Sequence, residues 1–320
     1  MPIGWLLQEG APWMEYRVRR DLMQQEEGSP EVRSARERLC SDPQIRTLID
    51  ELQAWPGAVM KNHKDAAHPL HKLVFLADVG LTAADPGMDP IVEAILEHSS
   101  PEGPFQLLIN TPKAFGGTGE DSWSWMLCDA PSLLYALARL GLAEDPRLQY
   151  AAGYLAGLIR ENGWPCAASG TTKFHGPGRR TDPCPYATLV TLKALAQFPD
   201  LRDGPAAHTG VEALFTLWKQ RETVRPYLFG LGSDFGKLKA PLIWYDLLHV
   251  LEVLTQVPWL RKDPRLAELT ALLQQKADAE GRFTPESIWM AWKGWDFGQK
   301  RAPSPWLTLL AHRILSRTET

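Results

Sequence analysis

The chain has 320 residues, 44% of them hydrophobic, with 34 Lys and Arg against 38 Asp and Glu for a formal net charge of -4. That size and apolar content suit one large repeat-built domain or two ordinary ones, and the acidic balance excludes a general nucleic-acid binder, whose affinity rests on a basic face. Four cysteines, Cys40, Cys128, Cys166 and Cys184, are too few in a chain this long for a disulfide scaffold, which leaves metal binding, catalysis or simple burial.

Residues 1–9 carry neither a basic n-region nor a long apolar h-region, and no apolar run reaches membrane-spanning length, so a soluble cytoplasmic protein is expected. Apolar residues recur at helical spacing between Gly and Pro punctuation, and no strand pattern stands out. Residues 12–24, 30–40 and 42–53 read as three short helices, with Asp42 as N-cap before Pro43. The charges of the Arg-rich run at residues 16–20 read as a solvated face. Residues 1–60 are expected to form a helical extension and residues 61–320 a repeat-built domain.

From His68 onward a longer unit recurs. Apolar helices end at Gly80, Gly141, Pro199 and Pro258, at intervals of 61, 58 and 59 residues. Asp145-Pro146-Arg147-Leu148 and Asp263-Pro264-Arg265-Leu266 open amphipathic helices 118 residues apart, twice 59. Closing turns at Gly103, Gly163 and Gly281 each place a glycine within two residues of an aromatic. Each unit is thus a very apolar helix, a Gly/Pro turn, an amphipathic helix and a Gly-aromatic loop. A helix apolar all round must be buried, and one with a single stripe covers it. Residues 130–140, 186–198 and 241–257 are predicted as inner helices, 148–159, 210–219 and 266–276 as outer ones, with a last helix opening at Pro303.

This alternation resembles the α/α toroid shared by squalene cyclases, terpenoid cyclases and the β subunits of protein prenyltransferases, over roughly residues 68–317. A bacterial group of toroid proteins to which no activity is assigned also looks similar. The sharper resemblance is local. In prenyltransferase β subunits a loop of the form Gly-x-x-Arg…Lys…Asp-x-Cys-Tyr enters an inner helix and supplies diphosphate-binding cations and two zinc ligands. The stretch Phe174 to Tyr186 is similar, with Arg179 and Arg180 at cationic positions and Asp182 and Cys184 at ligand positions. The remaining ligand of that family is a His after a Tyr, and here Tyr245-Asp246 is followed by His249 one turn later. Pro185 stands between Cys184 and Tyr186, Asp246 replaces the family's His, the Asp-x-Asp-Asp acid motif of the cyclases is absent, and no segment resembles the prenyltransferase α subunit.

In an inner and outer ring all inner helices start at one rim, which would gather Cys128, Cys166 and Cys184. Two zinc sets follow: an open one of Asp182, Cys184 and either Asp246 or His249, and a closed structural one of Cys128, Cys166, Cys184 and His249. Inert buried thiols are the competing reading, and the expected one for Cys40. His249 lies eight residues into its predicted helix, about 12 Å below the rim. Asp246 lies nearer the rim, and a buried carboxylate there needs a cation or a donor. Gly-rich loops carrying Arg179, Arg180, Arg225, Lys237 and Lys239 are candidates for a phosphate or diphosphate, with Tyr245 and Trp244 facing an apolar cavity. His68 and His71 either join that site or cap a helix. Trp164, one of thirteen tryptophans, is expected to lock neighbouring repeats together.

The resemblance implies a zinc-dependent, prenyltransferase-like enzyme acting on an isoprenoid diphosphate, with Asp182, Asp246 and His249 near the chemistry. A non-catalytic toroid scaffold with a structural metal is the alternative, and a terpene-cyclase-like enzyme without the acid motif is a third. Neither reading names a protein partner.

Overall fold

The computed structural model describes residues 1–170, 174–176, 178–223, 229–232 and 234–318. The fold is all-α with one minor two-stranded sheet. Five helix entrances share one local rule, a capping side chain followed by proline. Ser29, Asp145, Cys184, Asp263 and Ser304 each accept a backbone N–H of the first helical turn, and each precedes Pro at the first helical position. The cap satisfies an orphan donor, and proline, which lacks one, arrives with its φ already helical.

The chain divides into two compact units. One comprises Met1–Ile49, Val79–Leu81 and Ser233–Thr320, and the other Asp50–Asp78 and Thr82–Gly232. In the second unit the helices Ala130–Leu137 and Pro185–Leu195 are buried at every residue and pack on one another. The helix Pro146–Gly157 buries only Leu148, Ala151, Ala152, Leu155 and Ala156, a single stripe at helical spacing. The first unit repeats the contrast. Every residue of Leu247–Leu254 is buried, whereas Pro264–Gln274 buries only Leu266, Leu269, Thr270 and Leu273.

The closing turns are built alike. Gly103, Gly163 and Gly281 all have positive φ, at 111°, 112° and 76°. Beyond two of them the backbone N–H of the aromatic residue, Trp164 or Phe283, donates to a buried helix threonine, Thr188 or Thr308, at 3.1 and 2.9 Å. At Gly163 a Cβ would lie 2.9 Å from that of Ala213, so the turn needs glycine for both conformation and space. Trp164 fills the volume beside Gly210, where a Cβ would stand 2.4 Å from its ring, and its indole N–H donates to the Leu155 carbonyl at 2.7 Å.

Two expectations are overturned. β1 (Leu107–Asn110) and β2 (Asp121–Ser124) form an antiparallel pair in which Leu107 faces Ser124 and Asn110 faces Asp121. Strands of four residues are too short for alternation to register against helical spacing. The helix predicted over 241–257 is Leu247–Leu254, with Asp246 as its N-cap, so residues 241–246 are an approach segment.

Chain ends meet within the first unit. Trp13 lies with its ring centroid 5.1 Å from that of Trp306 and 5.4 Å from that of Trp295. The Arg313 guanidinium bridges Asp21 at 3.2 Å and Glu252 at 3.1 Å, with all three side chains nearly buried. Among the described residues no helix is long and apolar enough to cross a membrane.

Candidate functional site

In the second unit, residues 166–169 run antiparallel beside 125–128. The Leu127 N–H donates to the Ala167 carbonyl at 3.0 Å, the Ser169 N–H to that of Trp125 at 2.9 Å, and Met126 bridges Ala168. Beyond this single bridge residues 127–129 turn into the next helix, with the Asp129 and Ala130 N–H groups both donating to the Met126 carbonyl. Cys184 joins Cys128 and Cys166 from the next helix entrance, since its N–H donates to the Trp164 carbonyl at 2.7 Å and its thiol hydrogen-bonds with both Cys128 and Cys166. Its Sγ also accepts the Ala187 N–H at 3.4 Å, as the helix cap. Hydrogen bonding with Cys128, reinforced by burial, pushes the Cys184 thiol far above its ordinary range. The Cys128 thiol gains from its bond with Cys184, but burial and the Asp129 carboxylate outweigh that gain and hold it high. Cys166 is the half-exposed member of the three.

Beside the thiols sits an imidazole and carboxylate pair. His63 Nδ1 lies 2.8 Å from Asp129 Oδ1, and because a carboxylate only accepts, Nδ1 carries the donated proton. Asp129 is 2% exposed, and its Oδ2 has no partner among the described residues. Burial lowers the His63 pKa, yet the Asp129 carboxylate outweighs it, with a smaller push from Cys166, and the net direction is upward. His68 and His71 are structural neighbours. His68 Nδ1 accepts the Leu70 N–H at the helix entrance, and the rings bond the carbonyls of Ala58 and His63 respectively. Burial drives His71 down to about 4, so its ring is neutral.

Two clefts open on this region. The larger, of about 720 Å³, is lined by Arg160, Arg179, Arg180, His175, Asp182 and Cys166 among others. The smaller, of about 230 Å³, is mostly apolar, with Met60, Ile109, Pro112, Phe115 and Met126 beside His63. Phe174 and Gly176 line both. Asp182 shapes the basic cleft, its Oδ2 accepting the Arg179 N–H at 2.9 Å while its own N–H donates to the Arg179 carbonyl. Arg160 reaches the Arg180 carbonyl at 2.8 Å. Neither the Arg179 nor the Arg180 guanidinium has a carboxylate partner among the described residues.

The other expected residues belong to the first unit. Asp246 Oδ1 accepts the His249 N–H at 2.9 Å, and its Oδ2 is buried without a partner among the described residues. Burial pushes this carboxyl up to about 7, against the His249 N–H and the nearby Lys239. His249 is the third residue of its helix, which overturns the 12 Å depth expected from a longer helix, and its Nδ1 donates to the Trp244 carbonyl at 3.0 Å. Lys239 is 8% exposed, its ammonium 4.4 Å from the Trp289 ring centroid, so it is buried within its loop and not solvated. Lys237 pairs with Asp234 at 3.0 Å on the surface. Trp244 and Tyr245 are half-buried, with ring centroids 4.7 Å apart. Lys173 and Arg225 lie outside the described residues.

The zinc sets expected from sequence therefore draw on two units that are described separately. Asp182 is engaged in its turn and Cys184 in its cap, and among the described residues no group of three or more His, Cys, Asp and Glu side chains is placed to hold a metal ion. Sequence reasoning missed Asp129 and Arg160, and passed over His63. Asp129 carries no local signal, since its meeting with His63 spans 66 residues.

No known protein family matches this chain, and no curated protein does. A crystal structure of a protein from Actinoplanes is similar over 97% of this chain and 90% of that one, at 17% sequence identity and a TM-score of 0.46.

Proposed function

We propose that this chain is an α/α toroid whose second unit binds an amphiphile with an anionic head, of the isoprenoid-diphosphate kind. The regular exchange of fully buried and one-stripe helices at a period near 59 residues supports the toroid. The single observation that carries the ligand class is the pair of adjoining clefts, one edged by Arg160, Arg179 and Arg180 and the other walled by apolar side chains. Guanidinium forks match phosphate oxygens bidentately, and an apolar groove alongside takes the tail. No step of this reading runs through zinc.

Thermal melting tests it. Farnesyl diphosphate at a hundredfold excess over Kd stabilises the native state by about 2.7 kcal/mol. Melting is expected to rise by a few degrees with farnesyl diphosphate, less with inorganic diphosphate and less again with farnesol. The Arg179→Ala/Arg180→Ala variant should lose most of the response to both anions. A flat melt across all three ligands sinks the reading. Release of diphosphate on incubation with a thiol acceptor separates a transferase from a binding scaffold.

A further inference from the structure

We infer that the smaller cleft is a binding site in its own right for a medium-chain carboxylic acid, whose carboxylate is held by Lys61, His63 and Thr111. This goes beyond the amphiphile reading, since the tail of that ligand and this acid are alternative occupants of one cleft, and it asks nothing of the arginines.

Backbone pairing brings the three side chains together. The Met60 N–H donates to the Leu108 carbonyl at 2.8 Å, and the Met60 carbonyl accepts the Asn110 N–H at 3.1 Å, a parallel bridge that sets the segment leading to His63 beside β1. Lys61 and His63 line the cleft from that segment, and Thr111 lines it from the end of the strand. Each carries an atom with no partner among the described residues: Lys61 Nζ, His63 Nε2 and Thr111 Oγ1. Asp129 decides what the imidazole offers. His63 is the only described partner of that carboxylate, which is 2% exposed. A buried carboxylate needs a compensating charge, and the imidazolium supplies it, so that Nε2 carries a proton as well as Nδ1. The upward direction of the His63 pKa agrees.

Ammonium, imidazolium and hydroxyl are then three donors at one apolar cleft. A carboxylate accepts at two oxygens and donates nothing, which fits such a set, whereas an alcohol would leave the Lys61 charge unanswered. Volume sets the chain. The cleft holds about 230 Å³, and at roughly 30 Å³ for each heavy atom, the share of a water molecule in the liquid, it takes about eight chain atoms. Octanoate is the matching probe.

The test is calorimetric titration of the full chain with sodium octanoate at neutral pH. Expected is saturable binding of one octanoate per chain, with hexanoate weaker by about tenfold for the two methylenes it lacks. Lys61→Met and His63→Gln should each weaken octanoate by about tenfold or more, the loss of a charge-assisted hydrogen bond. Lys61 is exposed, so its variant leaves the fold intact even where His63→Gln disturbs the Asp129 pair. Octan-1-ol should bind more weakly than octanoate and be indifferent to Lys61→Met, while Arg179→Ala/Arg180→Ala should bind octanoate as wild type does. Circular dichroism melts confirm that each variant is folded. No saturable uptake by folded wild type, octan-1-ol binding as tightly as octanoate, or octanoate binding that survives Lys61→Met and is lost in the arginine variant overturns the proposal. Octanoate binding alongside a flat melt with diphosphates would sink only the anionic-head reading, and the reverse result would sink only the carboxylate site.

Discussion

At Asp246 the surroundings set a carboxyl against its own charge. Buried at 1% exposure with Oδ2 unpartnered among the described residues, it titrates near 7 instead of near 4. Between those values the folded state holds a proton that the unfolded state has released, so this group makes stability fall as pH rises from about 4 to 7, by up to about 1.4 kcal/mol per pH unit. Asp246→Asn keeps a capping oxygen and removes the titration. Urea midpoints of wild type and variant should therefore diverge with rising pH, the variant being the more stable at pH 8, and equal shifts at pH 5 and pH 8 would sink the assignment. The Asp246 side chain was legible in sequence as a buried carboxylate needing a donor. That its donor is the N–H of His249 was not, because the helix was expected to start six residues earlier.

Helix entrances carried the most legible chemistry. Asp145 and Asp263 were read as openers of equivalent helices, and both cap the N–H of an Arg two residues on at 2.8 Å. Ser304 does more than a cap. Its Oγ accepts the Leu307 N–H and donates to Asp296 Oδ2, which also accepts the Trp306 N–H. Ser304→Ala removes a cap worth about 0.5–2 kcal/mol and strips a bond from the half-buried Asp296 carboxylate, so a loss toward 2–3 kcal/mol is expected in denaturant unfolding. Asp263→Ala, at a part-buried cap without a second carboxylate partner, should cost about 1 kcal/mol. What local sequence did not reveal was the hairpin of β1 and β2 and the pairing of 125–128 with 166–169, since neither leaves a periodic trace. The thiol cluster rests on that pairing. An imidazole was sought at His249, whereas in the second unit it is His63 that meets a buried carboxylate, Asp129.

For the molecule as a whole, the period near 59 residues was visible because glycine or proline closes the recurring segments at Gly80, Gly141, Pro199 and Pro258, and burial sorts the helices into fully covered and one-stripe sets. Amide exchange should follow that sorting. Residues 130–137, 185–195 and 247–254 are expected to exchange slowest, near the global unfolding limit, and the exposed turn at 113–119 fastest. Uniform protection across the two helix sets would contradict it.

The first unit takes its residues from both ends of the chain, with Trp13 beside Trp306 and Asp21 bonded to Arg313, while the second is drawn almost entirely from the middle. The order in which the two units can be completed therefore differs from the order of their first residues in sequence. Residues 1–49 emerge before the rest of their unit, yet Leu6, Trp13 and Val18 find their final cover only when the helix Pro305–Ser316 has been made. At about 5–20 residues per second, synthesis of the intervening chain keeps that apolar segment waiting for roughly ten seconds to a minute. During that interval it is a natural client for a holding chaperone.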